Sequence, residues 1–406
     1  TQYWDYDFCE PKEYVSDDEY GEELDRLFQQ AVDRQLVSDV ELGSYLSGGM
    51  DSGSITAVAA KSFPYLKTFT CGFDLSSASG IELSFDERVK AEAMSYHFKT
   101  EHYEMVLKAG DMERSLPKLA WHMEEPRVGQ SYPNYYAAQL AGKFVKVVLS
   151  GVGGDELFGG YPWRYYRAVG NDNFEQYIDK YYLYWQRLLD NNAIKKVFSK
   201  ILGDVDQVST RDIFKNVFRH HKDDLETPED YINHSLYFEA KTFLHGLLVV
   251  EDKLSMAHGL ETRVPFLDND LVDFAMRCPV RLKLNNLTKV MQVNENDLGD
   301  KKGKFFQKTR DGKQILRDVM KRYIPGSVTQ AVKQGFSAPD ASWFKGESID
   351  FVKRTLMNGN AHIYEFMERS EVEKLIQEHL KGDQNNRLLI WSLLNVEQYL
   401  QELAQL

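Results

Sequence analysis

The amino-acid sequence predicts an α/β protein: a doubly wound, mostly parallel, five-stranded sheet with helices on both faces, followed by a large helical C-terminal extension. Three observations carry this. Between residues 40 and 149, short apolar runs alternate with segments of helical period, the pattern of parallel strands joined by right-handed crossovers. Two of those runs end in glycine-rich loops, Ser47-Gly48-Gly49-Met50-Asp51-Ser52 and Ser150-Gly151-Val152-Gly153-Gly154-Asp155-Glu156. After Tyr161 the chain becomes helical and aromatic.

Taken in order, Ser16-x-x-Glu19 has the form of a capping box, and Tyr20, Leu24, Leu27, Phe28 and Ala31 recur at helical spacing behind it. Val40 to Leu46 reads as the first strand and Ser54 to Lys61 as the helix after its loop. Tyr65 to Phe73 gives a second strand, Ser84 to Phe98 a helix, and His102 to Val106 a third strand. Helices are expected over Gly110 to Met123 and Tyr135 to Lys143. Between them, proline and glycine make Glu124 to Gly129 a loop; its paired carboxylates read as solvated, although they could face a substrate. Lys146 to Leu149 is a fourth strand. Phe174 to Leu189, Arg211 to Phe218 and Tyr231 to Val250 read as helices whose aromatics are core. The last helix puts Leu389, Leu393, Val396, Leu400 and Leu403 on one core-facing side.

Composition narrows the function classes. The 406 residues suffice for a large core and a cleft, and the net charge of −13 argues against nucleic acid as a partner. Three dispersed cysteines, Cys9, Cys71 and Cys278, suggest neither a disulfide framework nor a zinc site, which fits a reducing cytoplasm. No run approaches the roughly eighteen apolar residues that a membrane helix needs.

The chemistry sits in the two loops. Adjacent glycines between a strand and a helix start can gather backbone N–H groups into a nest for anionic oxygens, so the first loop reads as a phosphate site. It is not a Walker loop, since no lysine follows the glycines. A carboxylate at Asp51 would repel phosphate unless a hard cation such as Mg²⁺ stood between them. The plainer reading is a serine-glycine turn capping a helix. In the second loop Gly-Val-Gly-Gly begins like a dinucleotide fingerprint, but Glu156 occupies the third glycine position. Loops leaving neighbouring parallel strands meet where strand order reverses, which is where open α/β sheets bind ligands.

With these residues in view, the chain resembles the asparagine synthetase family from about Tyr3 to its end. The first loop looks like the pyrophosphate loop of N-type ATP pyrophosphatases, and the second like the family's S-G-x-G-[GS]-D-E signature. Asp252 to Asp268 follows the form D-[KR]-x-S-M-A-x-x-x-E-x-R-x-P-F-L-D, and Lys333-Gln334-Gly335-Phe336-Ser337 matches the last signature. The resemblance implies cleavage of ATP between its α and β phosphates and adenylation of a carboxylate. It further implies ATP contacts from Leu46, Ser47, Gly48, Gly49, Asp51, Ser52, Gly72, Phe73, Ser150 and Gly151. Mg²⁺ is implied on Asp51 and Asp155, and Lys333 is implied at the phosphate of the reacting centre. Phe73 reads equally well as strand core. Asp252, Glu261, Arg263 and Asp268 are expected to pair and brace the cleft. The run Lys301, Lys302, Lys304, Lys308, Arg310 and Lys313 reads as a solvated loop that could also draw phosphates inward.

The opening Thr1 to Phe8 resembles the linker that follows a glutaminase domain, so residues 1–15 are expected to be linker, 16–165 the ATP-pyrophosphatase core and 166–406 the helical part completing the cleft. Partners implied are a small carboxylate, aspartate or another, and ammonia from a glutaminase domain or chain; homo-oligomerisation stays open. One departure matters. Val152 stands where asparagine synthetases carry an acidic residue and β-lactam synthetases a tyrosine, and valine can neither accept a proton nor offer a hydrogen bond. Either another group, Glu124 or Glu125 being candidates, takes that role or the acceptor is not free aspartate. Three readings follow: an asparagine-synthetase-like amidotransferase, a synthetase for another carboxylate or an intramolecular amide, and a non-catalytic nucleotide-binding subunit.

Overall fold

The computed structural model describes residues 1–165, 169, 171, 173–220, 225–285, 311–331 and 337–405. Five strands form one parallel sheet: β1 (Leu42–Tyr45), β2 (Lys67–Phe73), β3 (Glu101–Leu107), β4 (Val147–Leu149) and β5 (Glu261–Arg263), in the order β3-β2-β1-β4-β5. The chain runs outward from β1 through β2 to β3, then returns to lay β4 on the other side of β1, with Gly43 opposite both Lys67 and Val148. The order therefore reverses between β1 and β4.

Apolar strands follow from burial on both faces. In β4, Val147 and Leu149 pack with α1 (Asp17–Gln35) and α2 (Met50–Ser62), while Val148 faces α5 (Tyr132–Ala141) on the opposite side. The helix α3 (Arg88–Phe98) joins β2 to β3, and α4 (Ala109–Met123) lies with α5. α1 begins as its sequence requires: Ser16 accepts from the Glu19 amide at 3.3 Å and Glu19 returns a bond to the Ser16 amide at 3.0 Å.

The fifth strand falls inside the stretch read only for its charges. Glu261–Arg263 has no apolar alternation; it is a strand because the Glu261 amide reaches Lys146 O at 2.9 Å and the Ser150 amide reaches Arg263 O at 2.8 Å. The expected pairing of that block holds for three of its four charges. Arg263 binds Glu261 at 2.7 Å and the carbonyls of Gln35 and Val37, and Asp268 meets Arg34 at 3.0 Å. Asp252 is exposed instead.

The expected helix Tyr231 to Val250 is three pieces: an α-helix Pro228–Phe238, a π-helical turn Glu239–Leu244 and an α-helix His245–Met256. The wider turn presents the fully buried Glu239 to Arg164 at 2.7 Å and to the Tyr181 hydroxyl at 2.6 Å. The Arg164 guanidinium also stacks on Tyr161 and Phe243, at 3.8 and 4.3 Å from their ring centroids. The last helix, Arg387–Leu403, buries Leu389 and Leu393 and half-buries Val396 and Leu400, but Leu403 is 47% exposed because the helix outruns its support. Among the described residues no helix is long and apolar enough to cross a membrane.

One long-range clamp ties the segment after β2 to the C-terminal part. Glu82 accepts hydrogen bonds from the Ala341 amide and the Ser342 amide, both at 2.9 Å, and from the Ser342 hydroxyl at 2.6 Å.

Candidate active site

The reversal of strand order brings the two glycine loops into contact. A Cβ on Gly151 would lie 2.9 Å from Ser52 N, and one on Gly154 would lie 2.8 Å from Asp51 Oδ1. The backbones touch, and glycine is what permits it. In the first loop Gly48 and Gly49 do not take the left-handed conformation; Gly48 is needed because Lys90 crosses directly over it, 2.5 Å from where a Cβ would stand. That loop is locked from within. The Ser47 and Ser52 hydroxyls lie 2.9 Å apart, the Ser47 amide donates to Ser52 Oγ at 3.1 Å, and the Gly49 amide donates to Ser47 Oγ at 3.1 Å. Left-handed backbone occurs in the second loop, at Gly153, whose φ of 104° turns the chain into the short helix Gly154–Phe158.

Asp51, in the first turn of α2, and Asp155, in the first turn of that short helix, point at one cation. Lys313 Nζ lies 2.7 and 2.9 Å from the two Asp51 oxygens and 2.7 Å from Asp155 Oδ1. Sequence reasoning placed Lys313 at the end of a solvated basic loop; it is instead 3% exposed, at the floor of the cleft. Its backbone is left-handed, with φ at 59°, a conformation costing a non-glycine residue roughly 1 kcal/mol. Gly312 before it packs so closely on the Gly159 carbonyl that a Cβ would come within 2.5 Å. The Asp311-Gly312-Lys313 turn was the available signal, since Asp-Gly marks a defined turn and not a mobile tract. The other members of the basic run, Lys301 to Arg310, lie outside the described residues, as does Lys333.

Of the remaining predicted residues, Leu46, Ser47, Gly48, Gly49, Ser52, Ser150, Gly151 and Val152 all line the same cleft. Gly72 and Phe73 do not. Asp86 and Arg88 cover Gly72, Phe73 is buried edge-on against Trp343, and the cleft wall from β2 is Phe69, Thr70 and Cys71. Glu124 and Glu125 are also elsewhere, exposed and bound to Lys253 at 2.7 Å and to Arg127 at 2.8 Å. Glu156 is buried and internal, accepting from the Tyr161 hydroxyl at 2.7 Å and the Gly153 amide at 3.2 Å.

A carboxylate missed from the sequence is Glu251, in the helix His245–Met256. It lines the cleft, and burial raises its pKa to about 7, opposed by hydrogen bonds from Asn134 and Ser150. Its sequence neighbourhood matched the family block only from Asp252 onward, so nothing local marked it.

Whether these residues suit a divalent cation follows from the donor set. The two carboxylates converge on the point that Lys313 Nζ occupies, and Mg²⁺ characteristically takes one or two protein carboxylates, completing its shell with phosphate oxygens and water, so the donor set suits the ion once the ammonium turns aside. They fit.

The family described as asparagine synthase matches residues 23–401. The glutamine-hydrolysing asparagine synthetase 1 of Bacillus subtilis (strain 168) is 27% identical over 406 residues, 94% of this chain and 59% of that protein. A putative glutamine-hydrolysing asparagine synthetase of Mycobacterium tuberculosis (strain H37Rv) is 27% identical over 403 residues, 92% of this chain and 56% of that protein. The chain thus spans less than three-fifths of the length of these relatives. Among solved structures, NMN synthetase from Francisella tularensis aligns with 60% of this chain and 95% of its own at 17% identity, with a TM-score of 0.24, too low to bear on fold or function. With its match running across nearly the whole of the sheet and the helical part, the chain belongs to the asparagine synthase family.

Proposed function

We propose that this chain is the synthetase part of an ATP-dependent amide-forming enzyme, which adenylates a substrate carboxylate and passes the acyl group to ammonia or an amine. The observation that carries the reading is the meeting of two glycine loops at the strand reversal, with Asp51 and Asp155 on a shared cation position. A carboxylate is anionic and lacks a leaving group, so amide formation at neutral pH requires activation; attack on the α phosphorus of ATP supplies AMP as that group.

In this reading the β and γ phosphates lie on the Ser47 to Ser52 loop, where the Ser47–Ser52 hydrogen bonds hold the backbone in place. Asp51 and Asp155 would hold Mg²⁺, which when bound neutralises charge on departing pyrophosphate. Lys313 then serves the phosphates from the same floor, and Lys333 keeps its proposed place at the reacting phosphate. Preorganised charges of this kind are typically each worth about 100- to 1,000-fold in rate.

Val152 favours a second form of the same reading, a carboxylate other than aspartate. The same cleft is lined by apolar Trp163, Phe243, Leu247 and Val250 as well as by charged Arg127, Arg164 and Glu251, a mixed wall that a carboxylate other than aspartate could use. ATP–pyrophosphate exchange across a panel of carboxylates tests both. Exchange stimulated by aspartate selects the first, and exchange stimulated by another acid the second. No exchange with any acid, ATP binding being intact, would overturn adenylation and leave only nucleotide binding.

A further inference from the structure

Resting on the adenylation reading, an amide-forming step has a proton to dispose of. When neutral ammonia or an amine attacks the acyl-adenylate carbon, the C–N bond forms and the nitrogen becomes cationic. One proton must leave it before or as the C–O bond to AMP breaks, with the electron pair departing on the phosphate oxygen. Val152 cannot take that proton. Asp51 and Asp155 are held by Lys313, Glu156 by Tyr161 and Gly153, and Glu82 by Ala341 and Ser342. Glu124 and Glu125 lie outside the cleft wall.

We propose that Glu251 is the proton acceptor of the amide-forming step. Two elements of the site donate to its side chain and a third lies within reach of its charge. Asn134, from α5, donates to Glu251 Oε2 at 3.4 Å; Ser150, the first residue of the second loop, donates to the same carboxylate; and Tyr45, which ends β1 immediately before the first loop, feels its charge. The carboxylate therefore sits beneath the point where both loops begin, and its donor Ser150 stands two residues before Val152 in the second. It is partly accessible from the cleft and otherwise enclosed by protein, so substrate can reach it while bulk solvent is thinned.

The charged groups on the elements packed around it are turned to other partners. Arg127 binds Glu125 and the Gly246 carbonyl, Lys253 binds Glu124, Arg263 binds Glu261, Lys241 binds Asp5, and Arg164 binds Glu239. Lys118 and His122 of α4 lie by His258. Among the described residues no cation therefore pairs with Glu251, and burial dominates its titration, which brings it to the pH range where a general base is most effective. The proton it takes is returned to solvent through the cleft after AMP leaves.

Two measurements test this on the chain as it stands. Infrared difference spectra between acid and alkaline pH, with no ligand added, should contain a carboxyl band titrating near neutrality in the wild type and lost in Glu251→Gln. With the carboxylate that supports exchange and ammonium chloride as amine source, Glu251→Gln should keep exchange within a few-fold of wild type while amide formation falls roughly 100-fold or more. With free NH3 held constant across the pH series, the wild-type amide rate should rise with pH through about 7 to a plateau, since the carboxylate is the active form; Glu251→Gln should lose that limb and Glu251→Asp should retain it at a lower rate. Equal loss of both half-reactions, or an unchanged limb in Glu251→Gln, would overturn the assignment to Glu251 and leave adenylation standing. Absence of exchange in the wild type would remove the adenylation reading, and this proposal with it.

Discussion

Lys313 carries more of the site than its place in the sequence suggests. Its ammonium touches both Asp51 and Asp155, and it holds them from a left-handed backbone that lysine does not favour. Removing one member of a buried charge cluster leaves the others uncompensated, typically at a cost of 3 to 5 kcal/mol. Lys313→Met should therefore lower unfolding free energy in urea by about 3 kcal/mol without divalent metal. Added Mg²⁺ should recover more of that stability in the variant than it adds to the wild type. An unchanged urea midpoint would mean that the two carboxylates are not balanced by this lysine.

At the scale of elements, the C-terminal helices depend on a histidine that must stay neutral. His379, near the end of the helix Arg369–Lys381, is fully buried, and its Nδ1 accepts the Asn386 amide at 3.0 Å, which fixes the start of Arg387–Leu403. Burial, with Lys345 nearby, lowers its pKa to about 4. The unfolded chain takes up the proton near the ordinary histidine value, so the stabilisation is complete above about pH 6.5 and is lost as pH falls toward 4, amounting to about 3 kcal/mol at the acid end. Amides of 387–403 should exchange hydrogen faster at pH 5 than at pH 7 once intrinsic rates are divided out. His379→Gln should flatten that dependence; an equal pH response in both proteins would place the acid sensitivity elsewhere.

The same scale shows what the sequence could and could not disclose. Strands with continuous apolar runs, such as Lys146 to Leu149, and the Ser16 capping box are local signals, and the structure has them where they were read. β5 has none, because an edge strand of three polar residues exists only by virtue of the partner it pairs with. The π-helical turn is likewise invisible to a helical-period argument, since one added residue per turn is decided by Glu239 meeting Arg164, 75 positions away.

For the whole molecule, the site is legible as far as it is built from loops that carry their own signature. Asp51 and Asp155 could be named from sequence because the two glycine-rich loops that carry them resemble family signatures. Lys313 and Glu251 could not, because a lysine in a basic tract and a glutamate in a helix gain meaning only when the sheet reverses beneath them. The same dependence makes Gly151 a sensitive position. Gly151→Ala should push the second loop off Ser52 N and cost about 1 to 3 kcal/mol of overpacking. ATP affinity should weaken by more than 10-fold in calorimetry, whereas Gly203→Ala, in open space within a short helix, should leave ATP affinity unchanged and raise stability by no more than about 1 kcal/mol.

The Glu82 clamp has a consequence for entry. Its three acceptor contacts join the rim that follows β2 to the stretch beginning at Ala341, and a carboxylate stripped of all its donors has no halfway arrangement of comparable energy. A molecule lying along this edge of the cleft therefore meets two segments pinned to each other by a single carboxylate, so a change at Glu82 would be felt on both.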